Sequence, residues 1–396
     1  SFNDNLDSVS TIAHEAGHNV HHQFVNENNE LHYRHTPNIT AEVISLTNEI
    51  LLSNYLVNNG TTKEEKLSGL NNILRRKKHS QKIIILDSNT YDNCLATLIS
   101  EVDSLCDAQI IEIEPGEENK TLETYTNIIQ TLIEQASDVN TQLIALGGGM
   151  ITDMASFIGA TYKRGIDTYL VPTTLLAMID ASIGGKCAIN FGEVKNQIGC
   201  FVKKATICIE PTLLETLPER QILNGVAEML KIALACDKEM SEKILQSNPL
   251  EVGNSQIFIQ NSIKLKQNIV KQDPFDKNYR HILNFGHTIG HALESIAIRK
   301  GEDLLHGEAV ASGIYYTLDL CKNLSKQTTN RVKQYIEKHY KIQPINDVQE
   351  LFNYMNSDKK TINNEYNFVL LEEIGKATIN NKISKLSTEK IAKKVV

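Results

Sequence analysis

The spacing of apolar residues changes character near residue 82. Before it, residues 1–80 are polar and carry helical spacing. Ile12, Ala13, Gly17 and Val20 fall on one side of a helix, and a second helical stretch runs from about Ala41 to Val57, ended by Asn59-Gly60. The basic run Arg75 to Lys78 reads as a solvated linker. From Lys82 short apolar runs take over: Lys82–Asp87, Ala108–Ile113, Thr141–Gly149, Thr168–Thr174 and Ala205–Glu210, with helical patterns between several of them. Strands that alternate with helices predict an α/β fold with a doubly wound, mostly parallel sheet. Beyond Pro218 the pattern is almost wholly helical until Tyr366–Leu371, a strand or hairpin arm. The chain therefore divides into a helical segment with linker (1–80), a sheet domain (81–217) and a mainly α-helical domain (218–396). No internal repeat or low-complexity tract interrupts it.

Composition narrows the function classes. The 396 residues are 41% hydrophobic and 22% charged, enough apolar material for a real core in each domain. A net charge of −8 argues against nucleic acid as a main partner, because phosphate backbones need a basic surface. The seven cysteines are scattered without a C-x-x-C pair, which points to a reducing compartment rather than a disulfide framework. No apolar run approaches the roughly 20 residues of a membrane span, and Ser1 to Ser10 are polar and acidic, unlike a signal peptide. A cytoplasmic protein with no membrane partner is the expectation. The first residue is Ser, which suggests a processed or truncated start.

Three stretches carry chemistry. "LGGGMITD" ends a strand and opens a helix, so Gly147, Gly148 and Gly149 let backbone amides approach a pyrophosphate at a helix N-terminus. A plain strand-to-helix turn has the same signature. Asp153 sits in the first turn of that helix, and Pro172-Thr173-Thr174 ends the next strand, where open α/β sheets bind ligands. Lys186 follows a Gly-Gly pair, and Lys195 with Asn196 follows a loop. Two lysines and an amide in Gly-rich loops suit a phosphorylated or carboxylated substrate, or are surface residues beside turns.

"RHILNFGHTIGHALE" is the most informative stretch. At about 100° per residue, Arg280, Asn284, His287, His291 and Glu294 fall within an arc of roughly 80° of one helix. A merely solvated face is richer in Lys and Glu; this stripe suits a ligand set. Gly286 and Gly290 each cost about 1 kcal/mol in a helix against Ala, and they admit a close ligand or helix. His306 lies in a second segment, and Glu228 and Lys231 lie one turn apart on an apolar helix. Glu and His together form a zinc shell with open positions, though spacing alone does not select Glu228, His287 and His306.

At this point the motifs "GEENK", "GGGMITD", "YKRG", "VPTTLLAMIDASIGGK", "KNQIG", "LETLPER", "VAEMLK", "LNFGHTIGHALE", "HGEAV" and "SDKK" together resemble the 3-dehydroquinate synthase family, from Lys82 to about Val396. The resemblance implies an NAD-binding sheet domain followed by a metal- and substrate-binding helical domain, in a homodimer. It implies NAD held by Asp87, Glu117, Lys120, Gly148, Gly149, Asp153, Thr173, Thr174, Asp180, Lys195 and Thr216. It implies zinc or cobalt on Glu228, His287 and His306. Substrate falls to Lys186, Asn196, Lys231, Lys266, Arg280, Asn284, His291 and one of Lys359 and Lys360, with Arg164 reaching a phosphate across a dimer interface. The substrate so implied is a phosphorylated sugar acid, 3-deoxy-arabino-heptulosonate 7-phosphate, and the products are 3-dehydroquinate and phosphate. The alternatives are another sugar phosphate cyclase or an inactive remnant. The chain departs from the family at Thr152, Cys187, Pro274 and Asp276, where a Gly, a Thr, an acid and a Glu are usual. The strands that normally open the family are expected to be missing, leaving the sheet incomplete.

The N-terminus carries different chemistry. His14-Glu15-Ala16-Gly17-His18 is an H-E-x-x-H motif: His14 and His18 share a helix face and can bind zinc, with Glu15 as general base and Glu42 as a third ligand. Residues 4–60 resemble a small core piece of the oligoendopeptidase F branch of the thimet-type metallopeptidases. A zinc endopeptidase is thus a reading of a different class. The substrate channel of that family has no counterpart here, so an inert extension or a metal-binding remnant, joined by gene fusion or by a misassembled reading frame, is the expectation.

Overall fold

The computed structural model describes residues 6–28, 38–60, 62–77, 80–192, 194–202, 205–358 and 365–385. Lys359 and Lys360 lie outside the described residues. The chain forms two compact units: Ser1–Pro172 with Cys187–Thr212, and Thr173–Lys186 with Leu213–Val396.

The first unit opens with helices α1 (Leu6–Asn28), α2 (Asn38–Asn59) and α3 (Lys63–Arg75). Thr62 and Glu65 form a capping box that starts α3, which buries Leu67, Leu70 and Leu74. Gly17 on α1 is buried against α2, where a Cβ would stand 2.7 Å from Ser45 Cα. The apolar side expected from Ile12, Ala13, Gly17 and Val20 is not a single buried face. Ile12 and Val20 are exposed, while Gly17 packs closely on α2 and Ala13 O accepts from Asn48 Nδ2 at 3.3 Å.

A five-stranded sheet follows, built from β1 (Lys82–Asp87), β2 (Gln109–Ile113), β3 (Gln142–Gly147), β4 (Asp167–Pro172) and, later in the chain, β7 (Ala205–Ile207), in the order β2-β1-β3-β4-β7. Every pairing is parallel. Successive side chains point to opposite faces, and Ile83, Ile84, Ile85 and Leu86 are all fully buried, so both faces are covered. That is why the strand reads as one unbroken apolar run. On one face, Ile83, Ile85, Leu143 and Ala145 join a cluster with Ile128 and Leu132 of α4 (Leu122–Glu134) and Met154 and Ile158 of α5 (Gly149–Thr161). The fold is the α/β, doubly wound class expected from the spacing.

Two strands were not expected. Lys186–Phe191 (β5) and Val194–Phe201 (β6) pair as a separate two-stranded sheet. Lys195 and Asn196 therefore sit in a strand, not a loop. The alternation in "VKNQIGCF" is hidden because Asn196 interrupts the face that carries Val194, Ile198 and Cys200.

The second unit holds α6 (Glu219–Cys236), α7 (Gln256–Gln272), α8 (His287–Lys300), α9 (His306–Thr317) and an antiparallel hairpin of β8 (Glu365–Glu373) and β9 (Lys376–Ser384). Ile289, Leu293, Tyr316, Phe352 and Phe368 form one core cluster. The continuous helix expected over Arg280–Glu294 is corrected. Tyr279–Asn284 is a short 3₁₀ turn, and Gly286 at φ +78° breaks the chain before α8 begins at His287. The break is dictated by packing as well as by φ: a Cβ on Gly286 would stand 2.6 Å from Ile314 Cγ1.

Candidate active site

In the first unit, β3 and β4 end side by side, with Gly147 in register with Pro172. Gly148 caps α5, leaving the first amides of that helix unpaired within it. No side chain fits at Gly147, where a Cβ would meet Ile151 Cβ at 2.5 Å. Beside this turn Lys120 is buried; its Nζ donates to Asp153 Oδ2 at 2.5 Å and to Asn196 Oδ1 at 2.8 Å, and lies 3.6 Å from Glu117 Oε1. Burial works against the Lys120 charge, yet Asp153 and Glu117 outweigh it and raise its pKa. Asp87, at the end of β1, accepts from Thr90 N at 2.9 Å and caps the next turn. Glu117, Lys120, Asp153 and Asn196 thus come together, although the resemblance splits them between cofactor and substrate.

Asn190 was missed. Its side chain accepts from Asn196 N at 2.9 Å and donates to Glu117 O at 3.2 Å, while its own N–H donates to Lys120 O at 2.8 Å. Asn196 itself is held at φ +55°. A lone Asn in a strand carries no signal that would have found it.

In the second unit, Thr174 Oγ1 accepts from Ala177 N at 3.2 Å. Lys266 Nζ donates to Asp180 O at 2.5 Å and ion-pairs with the Asp180 carboxylate. Burial would raise the Asp180 carboxyl, but Lys266 and Lys231 pull it down. Arg280 is buried and donates to Gly184 O at 2.9 Å and Pro274 O at 3.1 Å. Lys186 ion-pairs with Asp276, so the residue that departs from the family is itself a partner of an expected substrate lysine. Thr216 is exposed, as is Arg164, which the backbone holds at φ +66°.

Three elements converge on the expected metal ligands. Glu228 on α6 is buried, and its Oε1 has no hydrogen-bond partner. That atom lies 3.6 Å from His287 Nε2 and 3.5 Å from His306 Nε2. Helix crossings without side chains make this possible. A Cβ on Gly307 would stand 2.1 Å from Asn224 O, and one on Gly313 2.0 Å from Gly286 O. Two ring nitrogens facing one orphaned carboxylate oxygen fit a tetrahedral divalent ion with a position left open.

The other ring nitrogens are oriented for it. His287 Nδ1 faces Phe285 O at 3.3 Å, and His306 Nδ1 faces Glu294 Oε2 at 3.2 Å. A carboxylate or carbonyl behind a ligating histidine fixes its tautomer. Glu294 belongs to the polar stripe, but its role was not legible, because its partner His306 comes from another helix. His291 stands in the same cluster, its ring centroid 4.8 Å from that of His287 and 5.8 Å from that of His306.

Burial would raise the Glu228 carboxyl; Lys231, its ion-pair partner, and His306 instead hold it down at about 2. Burial, then Lys231, His291 and His306, push His287 well below the usual imidazole range, leaving it neutral. Burial would also lower His306, but Glu294 and Glu228 hold it up at about 10.

A second donor cluster lies on α1 and α2. His14 Nε2 and His18 Nε2 are 3.1 Å apart, and Glu42 Oε2 lies 3.6 Å and 3.4 Å from them. Glu49 Oε1 lies 2.6 Å from His14 Nδ1. Glu15 is exposed.

Comparison with known proteins agrees with both halves. A family model for Peptidase family M3 matches residues 2–162. Models for the 3-dehydroquinate synthase N-terminal and C-terminal regions match residues 110–224 and 225–361. A 3-dehydroquinate synthase of Parabacteroides distasonis is 36% identical over 325 residues, covering 80% of this chain and 92% of the relative. That of Campylobacter concisus is 40% identical over 289 residues, covering 71% and 82%. Among solved structures, 2-deoxy-scyllo-inosose synthase complexed with carbaglucose-6-phosphate, NAD+ and Co2+ superposes with a TM-score of 0.71 at 26% identity, covering 83% of this chain and 94% of that one. The 2-epi-5-epi-valiolone synthase of Streptomyces hygroscopicus shares the fold, with a TM-score of 0.67 at 23% identity and coverage of 80% and 90%. Residues, fold and relatives agree that this chain belongs to the 3-dehydroquinate synthase family.

Proposed function

We propose that the chain converts 3-deoxy-arabino-heptulosonate 7-phosphate into 3-dehydroquinate and phosphate, as a carbon–oxygen lyase of the shikimate route to aromatic amino acids. It uses catalytic NAD and one divalent ion, zinc or cobalt. The observation that carries this is the buried Glu228 carboxylate with two histidine nitrogens aimed at it. Bound NAD would take up and later return one hydride, while the bound ion would polarise the oxygen at the reacting carbon. A solved cyclase of the same fold complexed with NAD+ and Co2+ supports that cofactor pair.

The roles of the chain's own residues follow. Glu228, His287 and His306 hold the ion. Asp87, Glu117, Lys120, Gly148, Gly149, Asp153, Thr173, Thr174, Asp180, Lys195 and Thr216 hold NAD, the glycines by offering backbone amides to the pyrophosphate. Lys186, Lys231, Lys266 and Arg280 supply cationic charge for a carboxylate and a phosphate, with Asn196 and Asn284 as amide partners. His291, beside the metal ligands, moves a proton. One of Lys359 and Lys360 completes the substrate contacts. We assign residues 81–217 to cofactor binding and 218–396 to metal and substrate. The molecule acts as a cytoplasmic homodimer, and the exposed Arg164 reaches a phosphate across its interface.

Incubation of the full chain with 3-deoxy-arabino-heptulosonate 7-phosphate, glucose 6-phosphate and sedoheptulose 7-phosphate tests the substrate. Turnover of the first alone is expected. Turnover of either other sugar with none of the first would move the reading to another cyclase.

A specific observation favours a second reading for the N-terminal helices. His14, His18 and Glu42 offer three ligand atoms within 4.8 Å of one another, with Glu49 behind His14. This supports a second bound metal ion without peptidase activity. Elemental analysis of metal-saturated protein should give two ions per chain; one ion that survives loss of His14 and His18 would exclude it.

A further inference from the structure

The β5–β6 hairpin carries two cysteines for which the cyclase chemistry has no use. Cys187 Sγ and Cys200 Sγ lie 3.5 Å apart on its two strands. Gly199 lets the strands close at this point, since a Cβ there would stand 2.3 Å from Cys187 O. Cys187 is buried in the cluster beneath the sheet, whereas Cys200 is partly exposed. The short connection between β5 and β6 requires antiparallel pairing. Facing Cα atoms of such strands stand about 4.5–5.5 Å apart, inside the roughly 4.4–6.8 Å that a disulfide spans. The sulfurs need to approach by only about 1.5 Å to reach bonding distance.

We propose that Cys187 and Cys200 form a reversible thiol–disulfide site that reacts with small-molecule disulfides. The order of events follows from exposure. The Cys200 thiolate attacks one sulfur of the reagent RS–SR, forming a mixed disulfide and releasing one RS⁻. Cys187, on losing its proton to water, then displaces the second RS⁻ from Cys200. The net change is two protein thiols and one RS–SR converted to one internal disulfide and two RSH. Burial, reinforced by Cys200, pushes the Cys187 thiol up, so it is the slower, resolving partner. Lys195 and Asn196 lie on the same strand as Cys200, so the redox pair and part of the site share one element.

The test treats the reduced full chain with oxidised glutathione, quenches in acid, alkylates and maps peptides by mass spectrometry. The expected result is a Cys187–Cys200 cross-link lacking two hydrogens and reversed by dithiothreitol. In Cys187→Thr, glutathione stays on Cys200; in Cys200→Ser, Cys187 is not glutathionylated on the same time scale. Glutathione that persists on Cys200 of the unaltered chain, full alkylation of both thiols, or a bond from Cys200 to another cysteine would each overturn the proposal.

Discussion

At the scale of single residues, the cluster around Glu228 rests on a balance between burial and charge. Glu228 and Lys231 are both almost fully buried, and each charge is tolerable only because the other is present. The same balance leaves His287 neutral and His306 charged at pH 7 in the metal-free protein. His306 therefore has to lose a proton when an ion takes its Nε2. Metal affinity should rise with pH as long as the pH is below about 10, the folded value of His306, because a proton then competes with the ion for its nitrogen. Calorimetry at pH 7 in buffers of different ionisation enthalpy should find about one proton released per ion; none would contradict this account of His306. Because its folded value is raised, the charged His306 also contributes stability to the metal-free protein. That contribution is full below pH 6.5 and lost as pH rises through about 10. Glu294 acts one step further out. Glu294→Gln keeps the side-chain shape and removes the charge behind His306, and should weaken metal binding by about 10–100-fold in a chelator competition. An unchanged affinity would reduce Glu294 to a packing residue.

At the scale of elements, glycine does the positioning. Gly286, Gly290, Gly307 and Gly313 remove side chains where α8, α9 and α6 approach, and the ligands sit at or near the N-terminal ends of α8 and α9. Gly313→Ala should destabilise the fold by about 1–3 kcal/mol in denaturant unfolding, as overpacking does. It should also lower metal affinity, because His287 and His306 would be pushed apart; full affinity would show that the crossing does not set the site. These elements were only partly legible in sequence. The parallel strands were, since burial on both faces leaves an unbroken apolar run such as Ile83 to Leu86. Gly147 to Gly149 was recognisable as a strand-to-helix turn for the same local reason. The break at Gly286 was not: a 100° projection assumes a helix and so places Arg280 and Asn284 on a stripe that the chain does not form. β6 was hidden by Asn196 at one of its apolar-period positions. Glu228, His287 and His306 come from three segments, and no spacing rule connects them; family resemblance alone did.

At the scale of the whole chain, two groups of candidate metal ligands occur in one polypeptide. The seven strands β1 to β7 and the helices from α4 onward carry the cyclase family's pattern, while α1 and α2 carry the peptidase-like His14, His18 and Glu42. If the two sites are independent, His14→Ala with His18→Ala should remove one metal equivalent and leave cyclase turnover within about twofold of the parent, as mutations without shared partners are additive. A large loss of turnover would show that the N-terminal helices serve the cyclase. Among the described residues no helix is long and apolar enough to cross a membrane. Turnover of a phosphorylated sugar acid by this chain should need both NAD and the divalent ion. The most direct measurement is phosphate release from 3-deoxy-arabino-heptulosonate 7-phosphate by the full chain, with and without NAD and with and without a chelator. Release that requires NAD and is abolished by the chelator is the expected result; release indifferent to both, or none from folded, metal-loaded protein, would contradict it.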